Sequence, residues 1–170
     1  DVSATREAER ERRIAATVLR SMAEAVAVLD AEFRYVSVNP AFLRMSGYAE
    51  REILGRTASL LGSAQNDSAL YRQIRNHARQ QSQWSGELWL RRKDGDETLT
   101  ALELRTVRGP DDDSVLHVCV FNDITRQKRT EQELRYLANF DTLTDLPNRA
   151  LLSERLSRAI VRAHRQDSRV

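Results

Sequence analysis

Leu116-His117-Val118-Cys119-Val120-Phe121 leads with almost no slack into a charged helix and then into a short, distinctive segment. No other stretch constrains the chain as much. β-Branched and aromatic residues dominate the six positions, as a strand requires. Asn122-Asp123-Ile124-Thr125 ends the strand, with Thr125 placed to cap the next helix. Arg126 to Ala138 is charged and carries Leu134 and Leu137 on one helical face. It delivers the chain to Phe140-Asp141-Thr142-Leu143-Thr144-Asp145-Leu146-Pro147-Asn148-Arg149. A strand, a rod and a segment joined this closely predict a joint that passes a mechanical signal.

The 170 residues suffice for one domain of about 100–130 residues plus connecting helices. Lys and Arg number 27 against 25 Asp and Glu, a net charge of +2, which does not make the whole chain a nucleic-acid binder. Arg158, Arg162, His164, Arg165 and Arg169 gather basic charge, but without the interleaved aromatics that base stacking needs. They read as a solvated helix face. The single cysteine, Cys119, permits no internal disulfide and reads as a buried structural thiol. No apolar run approaches the ~18 residues of a membrane span, and no signal peptide is visible. The segment is expected to be cytosolic and to make no membrane contact of its own, with an anchor elsewhere in a parent protein left open. Asp1 is not an initiating residue, so the chain is expected to be part of something longer.

Asp1 to Met22 reads as a charged helix in which Ile14, Val18 and Met22 form a narrow apolar seam. Such a seam suits a two-helix contact better than a core, and predicts a homodimer. Ala25 to Leu29 and Phe33 to Val38 make a hairpin across Asp30-Ala31-Glu32. Asn39 caps a helix with Pro40 at its first position, ended by Gly47. Glu50 to Leu54 is a second short helix, Thr57 to Asn66 a loop, and Asp67 a cap for a helix over Ser68–Gln81. Three strands come next, near Gly86–Arg92, Thr98–Val107 and Val115–Phe121. Asp94-Gly95 supplies the first turn, Gly109-Pro110 with three aspartates the second. The expected fold is α+β: a five-stranded antiparallel sheet with helices on one face, flanked by N- and C-terminal helices.

Two resemblances sharpen this. The hairpin, Asn39-Pro40, Gly47-Tyr48, Leu54-Gly55-Arg56, Trp84-Ser85-Gly86 and the closing Asp123-Ile124-Thr125 together resemble a PAS sensor domain, over roughly Ser21 to Thr125. Asp141, Leu143, Thr144, Leu146, Asn148 and Arg149 stand in the order that opens a GGDEF domain, the diguanylate cyclase fold. The implied organisation is a signalling helix over 1–20, a PAS domain over 21–125, a linker helix over 126–138 and the start of a GGDEF domain over 139–170. Asp123 and Thr125 become candidates for relaying the signal.

PAS folds enclose a small cavity, and the resemblance implies haem, flavin or a small metabolite in it. The candidate lining is Phe42, Leu54, Leu70, Ile74, Trp84, Leu88, Leu90, Leu102, Leu104, Val118 and Val120. Aliphatic residues at strand spacing also suit a packed core. Trp84 is the best single candidate for a ligand contact, because a buried indole needs a hydrogen-bond partner. Light-sensing flavin PAS domains form an adduct with a cysteine where this chain has Ala58 in Gly55-Arg56-Thr57-Ala58, and hold the flavin with amides where it has Leu90, Thr100 and Phe121. A photoactive flavin therefore does not fit, while a redox flavin stays open. His77 lies too far along its helix for the family's haem ligand, and His117 is expected on the outer face, so haem does not fit either. Three scattered histidines and one cysteine offer no metal-ligand spacing. The cofactor is left open.

The GGDEF signature turn and its metal-binding aspartate are absent, so this chain is expected to catalyse nothing itself. The resemblance implies a sensory and dimerisation module that regulates a diguanylate cyclase, with or without an EAL phosphodiesterase domain, in bacterial cyclic di-GMP signalling. A ligand-free PAS scaffold is the main alternative. A kinase regulator is disfavoured because the helix after Thr125 lacks a phospho-acceptor histidine.

Overall fold

The computed structural model describes residues 1–109, 111 and 113–167, in two units, 1–124 and 125–170. Pro110 and Asp112 of the anticipated turn, and Arg169 of the basic run, lie outside the described residues.

The first unit opens with α1 (Val2–Ser21), capped by the Asp1 side chain and burying none of its residues. β1 (Ala25–Leu29) and β2 (Tyr35–Val38) form a hairpin whose turn hangs on Asp30, with Oδ1 accepting from the backbone N–H of Glu32 and Arg34. α2 (Pro40–Ser46) begins as expected, Asn39 Oδ1 accepting from Phe42 N at 3.0 Å, and ends at Gly47 with φ 77°. α3 (Glu50–Ile53), a 3₁₀ turn (Ala58–Leu61) and α4 (Leu70–Gln81) lead to β3 (Gln83–Arg91), β4 (Glu97–Arg108) and β5 (Val115–Asp123). The five strands lie in the order β2-β1-β5-β4-β3, antiparallel throughout, and the core fills the space between the sheet and the helices.

Three local expectations are corrected. Phe33 belongs to the hairpin turn, at φ 60°, rather than to β2. The 57–66 stretch is not all loop, since it contains the 3₁₀ turn. Asp67 does not cap α4: its Oδ1 binds Ala69 N within the preceding turn, and the helix starts at Leu70. Asp-type side chains capture the nearest free N–H two residues on, which shortens the helix that competes for it.

The second unit is α5 (Thr125–Asn139), a tight connection, and α6 (Arg149–Asp167).

Candidate functional site

Strand alternation decides which side chains meet beneath the helices. Leu88 and Leu90 of β3 and Leu102 and Leu104 of β4 are buried, as expected. On β5 the expected faces are reversed. His117, Cys119 and Phe121 are buried, while Val118 and Val120 lie on the opposite face and His117 is not an outer-face residue. The pairing of β5 with both neighbours sets Cys119 opposite Ala27 and Leu104, all three buried, and the period of two carries the rest of the strand with it.

A cavity of about 50 Å³ remains inside the core, lined by Ile74, Leu88, Leu90, Leu102 and Leu104 of the anticipated set. Phe33, Tyr35, Tyr71, Cys119 and Phe121 also line it, though the sequence did not single them out for this role. Phe42 is fully buried beside it, its ring 5.5 Å from Tyr35 and 5.2 Å from Phe121. Leu70 packs on the rim of the core. Leu54 is 39% exposed and does not reach the cavity, because α3 is one turn long and Ile53 takes the inward position. Trp84 does not line it either. Its ring folds over Gly86, where a Cβ would come within 2.7 Å, and borders a separate surface groove with His77 and Gln81.

The loop before α4 is clasped over the sheet. Asn66 Oδ1 accepts from Trp89 N and Asn66 Nδ2 donates to Trp89 O, each at 2.7 Å, so the amide stands in for a neighbouring strand on β3. Glu97 receives hydrogen bonds from Ser63 at 2.6 Å and from Gln65. A polar loop with no amphipathic period gives little sign of this in sequence; the signal is an Asn within reach of an edge strand.

Burial, reinforced by the neighbouring Cys119 and Tyr71, raises the Tyr35 hydroxyl far above its ordinary pKa. Burial pushes the Cys119 thiol up to about 12. Both groups are neutral at physiological pH, so they give the cavity hydroxyl and thiol edges, and Arg75 is the charged residue in its lining.

Among the described residues the cavity lining offers no histidine for haem and no adduct-forming cysteine at position 58. The cavity can take a few waters, against roughly 300 Å³ and more for ordinary ligand pockets. Ala58, Leu90 and Phe121 do line it, at the positions where adduct chemistry and amide hydrogen bonds would be needed, and supply neither. His77 is exposed, its Nδ1 2.8 Å from Gln73 O, and offers no ring nitrogen to the interior. Among the described residues no group of three or more His, Cys, Asp or Glu side chains is placed to hold a metal ion.

Asp123 closes β5 and Thr125 begins α5. In the second unit the expected motif residues organise the connection itself. Asp141 Oδ1 accepts from Leu143 N and Thr144 N, and Thr144 Oγ1 from Leu146 N. Asn148 Oδ1 caps α6 through Leu151 N at 3.1 Å, while its Nδ2 donates to Ala138 O at 2.6 Å. Leu143 and Leu146 are 94% and 63% exposed, and Arg149 opens α6 from the surface.

An antiparallel five-stranded sheet with helices over one face and a small inner cavity defines a small sensory class of α+β domain. The chain belongs to the PAS domain family, whose model matches residues 23–126. It is 28% identical over 119 residues to a nitrogen fixation regulatory protein of Klebsiella oxytoca, covering 70% of this chain and 24% of the relative. It is 26% identical over 137 residues to the cyclic di-GMP phosphodiesterase PdeR of Escherichia coli, covering 80% of this chain and 21% of the relative. An RNA-binding light-oxygen-voltage receptor superposes with a TM-score of 0.66 at 25% identity, covering 75% of this chain and 37% of that one. The chain thus spans about a quarter of the length of these curated relatives. Among the described residues, no helix is long and apolar enough to cross a membrane.

Proposed function

We propose that this chain is the sensory and dimerisation module of a bacterial cyclic di-GMP enzyme, a diguanylate cyclase with or without an EAL phosphodiesterase domain. The carrying observation is the direct sequence of β5, α5 and the Asp141–Arg149 connection. In this reading residues 139–170 are the opening of a GGDEF domain. Asp141, Thr144 and Asn148 hold its first turn, and exposed Leu143, Leu146, Leu152, Leu156 and Ile160 await the rest of that domain. The similarity to PdeR supports the reading, because it covers more of the chain than the PAS match alone. The fragment regulates and does not catalyse. α1 pairs with a second copy through Ile14 and Val18, which are 54% and 53% exposed. The partners are a second chain, the downstream domain and a small ligand or none, with neither nucleic acid nor membrane engaged, in the cytoplasm.

A specific observation favours a second form of this reading: a cavity of about 50 Å³ suits a ligand-free scaffold. Mass spectrometry of the denatured, freshly purified protein separates the two, and a Soret band, or a blue-light bleach near the flavin maximum, would overturn the expectation of no haem and no photoactive flavin. The main reading is tested by extending the chain with whatever its gene encodes after Val170. That protein should make or hydrolyse cyclic di-GMP. Activity in neither direction sinks the reading.

A further inference from the structure

On the far side of the first unit from the Asp94-Gly95 turn, the β4–β5 strand ends and the C-terminal end of α4 frame a surface pocket of about 470 Å³. Arg79, Ser82, Thr106, Arg108 and His117 line it, with small apolar walls from Ala31, Ala78, Val107 and Val115. It is separate from the inner cavity: none of these residues lines that one.

His117 is 2% exposed and locked in place. Its ring stacks on Phe33 with centroids 4.3 Å apart and planes 16° apart. Its Nδ1 lies 2.9 Å from Thr106 Oγ1, which is itself 3.0 Å from Ala78 O. These two contacts fix the protons. Ala78 O can only accept, so it takes the single hydroxyl proton of Thr106. The hydroxyl oxygen must then accept, and Nδ1 must carry the ring proton. Nε2 is left with its lone pair, and no described residue bonds to it.

Three charged groups lie near the ring, Arg79 from α4, Arg108 from β4 and Asp30 from the β1–β2 turn, with Arg75 of α4 beyond it against Phe33. On the β1 side its strand partner is the apolar Leu29. Arg75 sits 5.7 Å from the Phe33 ring centre, and Asp30 is engaged by two backbone N–H groups of its own turn. Neither Arg79 nor Arg108 makes an ion pair among the described residues. Two carbonyls at this end of α4 are occupied, Ala78 O by the Thr106 hydroxyl and Ser82 O, just past the helix, by the Thr106 N–H at 2.8 Å.

We propose that this pocket is an oxyanion site: Arg79 and Arg108 bind a carboxylate or phosphate group, and His117 takes a proton from solvent at Nε2 as the anion arrives. An anion beside a ring nitrogen favours the imidazolium form. Without one, burial and Arg79 hold the imidazole below its ordinary pKa, so it is neutral and available. Binding and protonation are therefore linked, and affinity rises as pH falls. The site offers a PAS domain a way to read an acidic metabolite from its surface without use of the small inner cavity.

The test is NMR of the whole chain carrying ¹⁵N-labelled histidine, of which there are three. The baseline is an oxyanion-free buffer at fixed ionic strength set with chloride. Free His117 should be the neutral Nδ1–H tautomer; an Nε2–H tautomer overturns the proposal. Saturating inorganic phosphate or succinate should raise its pKa by about one unit, a tenfold preference of the anion for the protonated form. Arg79→Gln and Arg108→Gln should each weaken that response about tenfold while leaving the free tautomer intact, which shows that the fold persists. A response to phosphate alone assigns a phosphorylated ligand, to succinate alone a carboxylate, and to both a general oxyanion site. No shift with either probe, or an equal shift in the Arg79→Gln/Arg108→Gln double variant, overturns the site.

Discussion

Asn39 and Val26 are bonded to each other twice: Val26 N–H donates to Asn39 Oδ1 at 2.9 Å, and Asn39 N–H donates to Val26 O at 3.0 Å. The same Oδ1 caps α2, and Nδ2 reaches back to Leu19 O and Glu24 O at the exit of α1. One side chain, 1% exposed, therefore ties α1, β1 and α2 together.

Asn39→Ala should lower stability by about 2–4 kcal/mol, combining a lost cap with a buried N–H left unpaired. In thermal unfolding that is a fall of roughly 5–15 °C. Asn39→Ser keeps a short acceptor for Phe42 N but cannot reach Leu19, and should cost about half as much. Equal losses in the two variants would show that the cap at Phe42 contributes nothing, and no loss in Asn39→Ser would show the same of the tie to α1.

Acidification should destabilise the first unit from near pH 6.5 downward. The His117 pKa lies below its ordinary 6.5 in the folded state, so between the two values the unfolded chain binds more protons and stability rises with pH. That contribution is complete above 6.5 and is lost as pH falls toward the folded value. Glu52, held low mainly by its hydrogen bond from Lys93, adds a further loss below about 4.5. Melting curves in oxyanion-free buffer should show the slope, and His117→Gln should flatten its upper part.

Cys119 should be inert in the native protein. A thiol raised to about 12 and 1% exposed presents almost no thiolate at pH 8. Ellman's reagent should label it only after denaturant is added; prompt labelling of the native chain would mean the core opens.

Replacing Ile14 and Val18 together by Asp should convert a dimer into a monomer at ~100 μM without lowering the melting temperature of the isolated fold, since α1 buries none of its residues within this chain. Light scattering before and after substitution decides it.

Asp123→Ala with Thr125→Ala in the extended enzyme should uncouple cyclic di-GMP turnover from its stimulus while shifting melting by only a few degrees. A cap contributes about 1 kcal/mol and a carboxylate near a helix start about 0.3–1 kcal/mol. Intact regulation with lowered stability would reduce both residues to ordinary strand-end chemistry.

The sequence alone determined the order of elements, the caps at Asn39-Pro40 and Gly47, the Asp94-Gly95 turn and the likeness to PAS domains. Each rests on chemistry confined to a few consecutive residues, where φ preference and the nearest free N–H decide the outcome. Only the tertiary structure decided which face of β5 points inward. Leu116, Val118 and Val120 are as apolar as Cys119 and Phe121, so alternation has two solutions, and pairing with β1 and β4 selects the one that buries His117. The clasp of Asn66 on Trp89, 23 residues away, and the turn of Trp84 over Gly86 were likewise hidden. Contacts between distant positions leave no period in the chain, and they are what separate a wall residue from one that merely has the right spacing.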